Sequence, residues 1–211
     1  GFTHLVSASK EAIEIANKAY QKQGGISGIS TGLIDLDKKL GGLHSSDLLI
    51  IAGRPSMGKT SLATNMAFSI ANSFKTKENE DGIKTLLNGG VVGFFSLEMS
   101  SAQLATRILS ENSKVPSDKI RKGDLSEQDF RNFIEAAQSL DQCPLYIDDT
   151  AALSISALAG RARRLKRMYG LDVLFVDYLQ LIRPSTNRDS RVNEISEITQ
   201  GLKSIAKELN I

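Results

Sequence analysis

The sequence predicts an α/β fold, a mostly parallel sheet with helices on both faces, preceded by a separate N-terminal helix. Three observations carry this expectation. Short apolar runs at 48–52, 91–96, 145–148 and 173–177 alternate with stretches of helical periodicity, an order that joins parallel strands by right-handed crossovers. A glycine-rich loop stands between the first run and a helical stretch. The composition, 41% hydrophobic and 24% charged over 211 residues, is that of an ordinary globular domain with a buried core.

Taken in chain order, residues 7–23 place Ala8, Ala12, Ile15, Ala16 and Ala19 on one helix face, and Gly24-Gly25 supplies a stop. The next seven residues, 26–32, are too rich in Gly and Ser to continue a helix. Residues 1–25 therefore read as a linker helix and 26–211 as the main domain. Within that domain a helix is expected from near Ser61, and the polar, aperiodic stretch 75–88 reads as a surface loop with no function of its own. Ser126 suits the N-cap of a helix striped by Phe130, Phe133, Ile134, Ala137 and Leu140. Ser154 suits that of another, carrying Leu158, Ala162 and Leu165 and ending at Gly170. Val192, Ile195, Ile198, Leu202, Ile205 and Leu209 mark the last helix.

Composition also excludes classes of function. The single Cys143 rules out an intrachain disulfide framework and matches a reducing cytoplasm. No apolar run approaches the roughly 20 residues of a membrane-spanning helix. A net charge of +2, from 26 basic and 24 acidic residues, confines any nucleic-acid site to a local patch. The start, Gly1-Phe2-Thr3-His4, has neither Met nor the features of a secretory signal, so a fragment of a longer protein is expected. His4, His44 and Cys143 lack partners at the spacing of metal ligands or nucleophiles.

The chemistry concentrates in Gly53-Arg54-Pro55-Ser56-Met57-Gly58-Lys59-Thr60, a full match to the phosphate-binding P-loop, set between a predicted strand and a predicted helix. Glycine lets the backbone curl so that successive N–H groups meet phosphate oxygens, and the helix N-terminus adds its positive end. These residues and Ser61 are expected to bind nucleotide, with Lys59 on the β- and γ-phosphates and the Thr60 hydroxyl on Mg²⁺.

The run Leu174-Phe175-Val176-Asp177 ends in a carboxylate suited to holding Mg²⁺. Glu98 ends another apolar run. There it suits either polarising the attacking water or complementing a helix dipole. Asp148-Asp149 also ends a strand and fits either a catalytic pair or a turn. Gln180 fits phosphate sensing and packing equally. Arg161, Arg163, Arg164, Lys166 and Arg167 share one helix and read chiefly as its solvated face. The polar segment 183–191 carries Arg183, Arg188 and Arg191 against one Asp, as loops that track single-stranded nucleic acid do, and as ordinary loops also do.

The segments Ser30-Thr31-Gly32-Leu33, Leu36-Asp37 and Leu40-Gly41-Gly42-Leu43 resemble the RecA-type branch of P-loop ATPases. With Gly25 to Gly32, the P-loop, Phe95-Ser96-Leu97-Glu98-Met99 and Val176-Asp177-Tyr178-Leu179-Gln180-Leu181-Ile182, the whole chain is similar to the C-terminal motor domain of bacterial DnaB-type replicative helicases. The resemblance implies a RecA-like core that binds ATP and Mg²⁺ through Lys59, Thr60 and Asp177, with Glu98 activating water. It further implies a hexameric ring on single-stranded DNA, a linker helix docked on the neighbouring subunit, and primase and a helicase loader as partners. Members of that family continue past the position of Ile211 with a strand between the P-loop strand and the Asp177 strand, a second DNA loop and an arginine finger, so the parent chain is expected to be longer. The alternatives are a recombinase-like or clock-type RecA-fold ATPase and a nucleotide-binding assembly module without turnover.

Overall fold

The computed structural model describes residues 1–21, 25–184 and 190–211. The chain opens with α1 (Leu5–Gln21). Its start is set by His4, whose carbonyl accepts from the N–H groups of Ser7 at 2.9 Å and Ala8 at 3.1 Å, so the helix begins ahead of the predicted Ser7. The predicted end at Gln23 and Gly24 lies outside the described residues. No residue of α1 is buried, and Leu5, Val6, Ile13, Ile15 and Tyr20 all face solvent.

There follow α2 (Ile34–Leu40), α3 (Lys59–Asn72), β1 (Lys75–Glu78), β2 (Lys84–Asn88), β3 (Val92–Ser96), α4 (Ser101–Ser113), α5 (Ser117–Lys122), α6 (Glu127–Ser139), β4 (Leu145–Asp148), α7 (Ile155–Tyr169), β5 (Val173–Asp177), a 3₁₀ turn (Leu179–Leu181) and α8 (Arg191–Leu209). The segments flanking α2 cross tightly. Ile29 and Leu43 form an antiparallel bridge, and a Cβ at Gly28 would lie 2.6 Å from the Leu43 carbonyl oxygen. Only glycine lets two backbones pass this closely.

The main sheet is parallel, in the order β4-β3-β5. Its register sets Phe95 beside both Asp148 and Val176 and Ser96 beside Asp177, so all three strands end at one edge. Every residue of β3 is buried, the pattern of a central parallel strand covered on both faces. Val92 and Phe94 pack with Ala67, Ile70 and Ala71 of α3. Phe95, the next residue along the strand, and Leu97 beyond it pack with Leu158 and Ala162 of α7 and Ile198 and Leu202 of α8. The Phe94 and Phe175 rings stack at 5.7 Å. Ser126 and Ser154 cap α6 and α7 as expected, accepting from the N–H groups of Asp129 and Ala157.

Two expectations are corrected. The run 48–52 is no strand: it has no ladder partner among the described residues, and β5 pairs only with β3. A cavity of about 380 Å³, lined by 48–52, by β5 and by Leu202, Ile205 and Ile211 of the C-terminal region, separates the two. Leu49, Ile50 and Ile51 are 45%, 59% and 40% exposed. Apolar residues in a row make a strand only with a neighbour at about 4.8 Å. The stretch 75–88, in turn, is a hairpin rather than a loop, pairing Thr76 with Leu86, Lys77 with Thr85 and Glu78 with Lys84. Its turn is held by Asn79, whose Oδ1 accepts from the N–H groups of Asp81 and Ile83. Because β1 and β2 are exposed throughout, no buried face writes a period of two into their sequence.

Candidate functional site

The P-loop runs into α3 through two left-handed residues, Ser56 at φ 62° and Gly58 at φ 87°. Gly58 is the N-cap and has no side chain to satisfy the first turn. Among the described residues, no protein acceptor faces the N–H groups of Gly58, Lys59, Thr60 and Ser61; the first bond of the helix runs from Leu62 N–H to the Gly58 carbonyl at 2.9 Å. A helix terminus leaves such donors open, and with the dipole they form an anion site.

Lys59 is half-buried, its stem beside Gly53, where an added Cβ would sit 3.5 Å from its Cγ and Cδ. Its Nζ lies 5.9 Å from the centroid of the Tyr178 ring. Next along the helix, Thr60 Oγ1 donates to Asp177 Oδ2 at 2.9 Å. Asp177 is 6% exposed, so a neutral hydroxyl partners a buried carboxylate. A hydroxyl and a carboxylate oxygen are the hard donors Mg²⁺ takes, and the pair fits such an ion. Ser61 Oγ accepts from Arg107 Nη1 of α4 at 3.2 Å.

Glu98 is held by the turn that follows β3. Leu97 N–H donates to the Asp177 carbonyl at 2.9 Å, Ser96 Oγ donates to the Met99 carbonyl at 2.7 Å, and Ser100 caps α4 in a capping box with Gln103. Two residues past Ser96, which is paired with Asp177, Glu98 occupies the same sheet edge as the buried carboxylate. It is exposed, with no hydrogen bond or ion pair among the described residues. A free carboxylate so placed is equipped to accept a proton from water.

The other candidates part company here. Asp148 Oδ2 accepts from Arg161 Nη1 at 2.7 Å and its Oδ1 from Thr150 N–H at 3.0 Å. Burial pushes the Asp148 carboxyl up, but these donors and the guanidinium charge outweigh it and hold it below the usual carboxylate range. Asp149 accepts from the Ser101 N–H at the start of α4 at 2.7 Å, and that bond keeps its carboxyl low. Both aspartates therefore fasten helices. Gln180 is exposed, and its carbonyl accepts from Arg191 Nη2 at 2.9 Å. The basic face of α7 is solvated but tied down: Arg163 forks onto Glu208 at 2.6 and 2.8 Å, and Lys166 donates to the Leu209 carbonyl.

Of the three arginines read as nucleic-acid contacts, Arg183 is exposed with its backbone bonded to Leu153 and Ile155. Arg188 lies outside the described residues. Arg191 is also paired with Glu194 at 3.1 Å. Sequence reasoning missed Tyr178 and Arg107. The adjacency of Tyr178 to Asp177 was the available signal for the first; nothing in the spacing marks the second, because its contact depends on how α4 meets α3.

Residues 28–211 match the family described as DnaB-like helicase C terminal domain. The chain is 52% identical over its whole length to the replicative DNA helicase DnaB of Rickettsia typhi, covering 41% of that protein. It is 36% identical to the replicative DNA helicase DnaC of Bacillus subtilis, covering 43% of it. It thus spans about two fifths of the length of these relatives. Among solved structures, an isolated ATPase domain superposes with a TM-score of 0.80 at 29% identity, over 96% of this chain and 68% of that one. A DnaB-like replicative helicase, described with its interactions with primase, superposes with a TM-score of 0.78 at 28% identity, over 96% of this chain and 46% of that one. The parallel sheet, the P-loop at its edge and this likeness together establish a RecA-like α/β core, and the chain belongs to the DnaB-like helicase C-terminal domain family.

Proposed function

We propose that this chain is the motor of a replicative DNA helicase, in which Mg²⁺-dependent ATP hydrolysis drives a hexameric ring along single-stranded DNA and unwinds the duplex. The observation that carries the reading is the convergence, at one sheet edge, of four open N–H donors, Lys59, the Thr60–Asp177 pair and the unpartnered Glu98. The N–H groups of Gly58 to Ser61 cradle the phosphates, and Lys59 sets a positive charge over the β- and γ-oxygens. Thr60 and Asp177 hold Mg²⁺, which when bound neutralises charge on the phosphate oxygens. Glu98 orients water for in-line attack and takes its proton. Gly53, Arg54, Pro55, Ser56 and Met57 shape the loop around the phosphates.

The ring reading is supported by α1, whose apolar side chains have no partner among the described residues of their own chain and are available to a neighbouring subunit. The open apolar cavity between 48–52 and β5 accepts a further strand from the longer protein. Arg183, Arg188 and Arg191 serve the DNA side, and primase and a helicase loader are the further partners, in the cytoplasm. No helix among the described residues is long and apolar enough to cross a membrane. The test is Lys59→Ala in the full-length protein. Titrated with ATP in a calorimeter, the variant loses tight binding because the phosphates lose their mobile cation; wild-type affinity would end the assignment.

A further inference from the structure

Lys59 and Thr60 are consecutive in the P-loop helix, and each meets one of two consecutive residues at the end of β5. Thr60 meets Asp177 through a 2.9 Å hydrogen bond, and Lys59 meets the ring of Tyr178, with Nζ 5.9 Å from its centroid. The Asp177 oxygen nearest the P-loop is taken by Thr60, and among the described residues no carboxylate pairs with Lys59. A half-buried ammonium without an anion is costly. The negative face of an aromatic ring within about 6 Å offsets part of that cost. Tyr178 is itself half-buried and directly follows Asp177, the partner of Thr60, while Lys59 carries one of the four open N–H groups at the start of α3, so the contact lies beside the anion site.

We propose that Tyr178 is a positioning residue that holds the Lys59 ammonium in the nucleotide-free protein and competes with the phosphates for it. The ring thereby sets the affinity for ATP. This rests on the reading of Lys59 as a phosphate ligand. A cation–π contact is weak beside a charge-assisted hydrogen bond to a polyphosphate, so nucleotide wins the competition, at a cost equal to the contact given up. Tyr178 contributes no proton and touches no reacting atom.

The test replaces Tyr178 in the full-length protein with phenylalanine and then with mono-, di- and trifluorophenylalanine. These side chains are close in volume, while the negative charge on the ring face falls stepwise. The dissociation constant of a non-hydrolysable ATP analogue with Mg²⁺ is measured for each, with thermal melting as a check on folding. The expected result is a stepwise tightening, about 2- to 5-fold across the series. A residue that merely packs would give a flat series. A flat series, or one that weakens with fluorination, overturns the proposal while Lys59→Ala still abolishes binding. Unimpaired binding by Lys59→Ala alone instead overturns the reading of Lys59 on which the proposal stands.

Discussion

The proposed roles of Glu98 and Gly58 rest on opposite features, a side chain left free in one and the lack of a side chain in the other. Because no donor among the described residues engages the Glu98 carboxylate, replacing it with Gln removes proton acceptance while disturbing little packing. In the full-length protein, Glu98→Gln should bind ATP as the wild type does and turn it over at least about a hundredfold more slowly, read as phosphate release. Unchanged turnover would take the base elsewhere, though not to Asp148, whose two oxygens are already engaged. At Gly58 a Cβ would meet nothing within 4 Å, yet φ is +87°. The cost of Gly58→Ala is therefore conformational, about 1–2 kcal/mol, and should appear as a lower denaturation midpoint together with weaker nucleotide binding as the loop donors turn away. A variant with unaltered midpoint and affinity would show that the left-handed turn is dispensable.

At the scale of elements, carboxylates join pieces that periodicity alone leaves apart. Asp37 on α2 accepts from Ser30 Oγ at 2.6 Å, Thr31 N–H at 2.8 Å and Thr31 Oγ1 at 2.7 Å. Thr31 is only 1% exposed. Asp37→Ala would leave its donors unsatisfied in the interior and should cost about 1–3 kcal/mol, measured by urea unfolding. The Asp148–Arg161 pair ties the end of β4 to α7 and carries a pH signature. Its folded carboxyl lies below the ordinary value despite the opposing effect of burial, so the unfolded chain binds the proton more readily. The stabilisation is present above the unfolded pKa, about 3.9, and is lost as pH falls through the lower folded value. Arg161→Leu should therefore flatten the melting temperature against pH as pH falls below about 4; an unchanged profile would mean that the pair carries none of the acid sensitivity. The serine caps of α6 and α7 and the apolar stripe of α7 were legible in the sequence because each is complete within a few turns, whereas the stripe expected of α6 is not its buried face: Phe130 and Ile134 are exposed and the buried residue of that helix is Ala136. The hairpin of β1 and β2 was not, since its strands are exposed throughout and no buried face sets a period.

For the molecule as a whole, α1 stands out as a long helix with no buried residue among those described. Its apolar side chains are exposed along its length, while the sheet faces are already covered by α3 on one side and by α7 and α8 on the other. Replacing Ile15 and Ala19 with Asp should shift the full-length assembly to smaller species in sedimentation, with little change in the melting of the core. A ring that persists would show that the stripe packs within its own subunit.

Local patterns determined much of this protein in advance. A glycine-rich loop before a helix, a carboxylate closing an apolar run and a serine before a stripe each depend on residues a few positions apart, so the loop ahead of α3, the carboxylate that ends β5 and most helices could be read from the chain. Tertiary structure alone decided which candidates meet. It gave Asp148 and Asp149 to helix fastening, set Tyr178 beside Lys59 and Arg107 on Ser61, and left 48–52 with no ladder partner among the described residues. Those outcomes turn on distances of a few ångströms between segments as much as 119 positions apart, counted from Lys59 to Tyr178. No period along a single stretch of sequence records such a distance, because it is set by how strands register and how helices pack upon them.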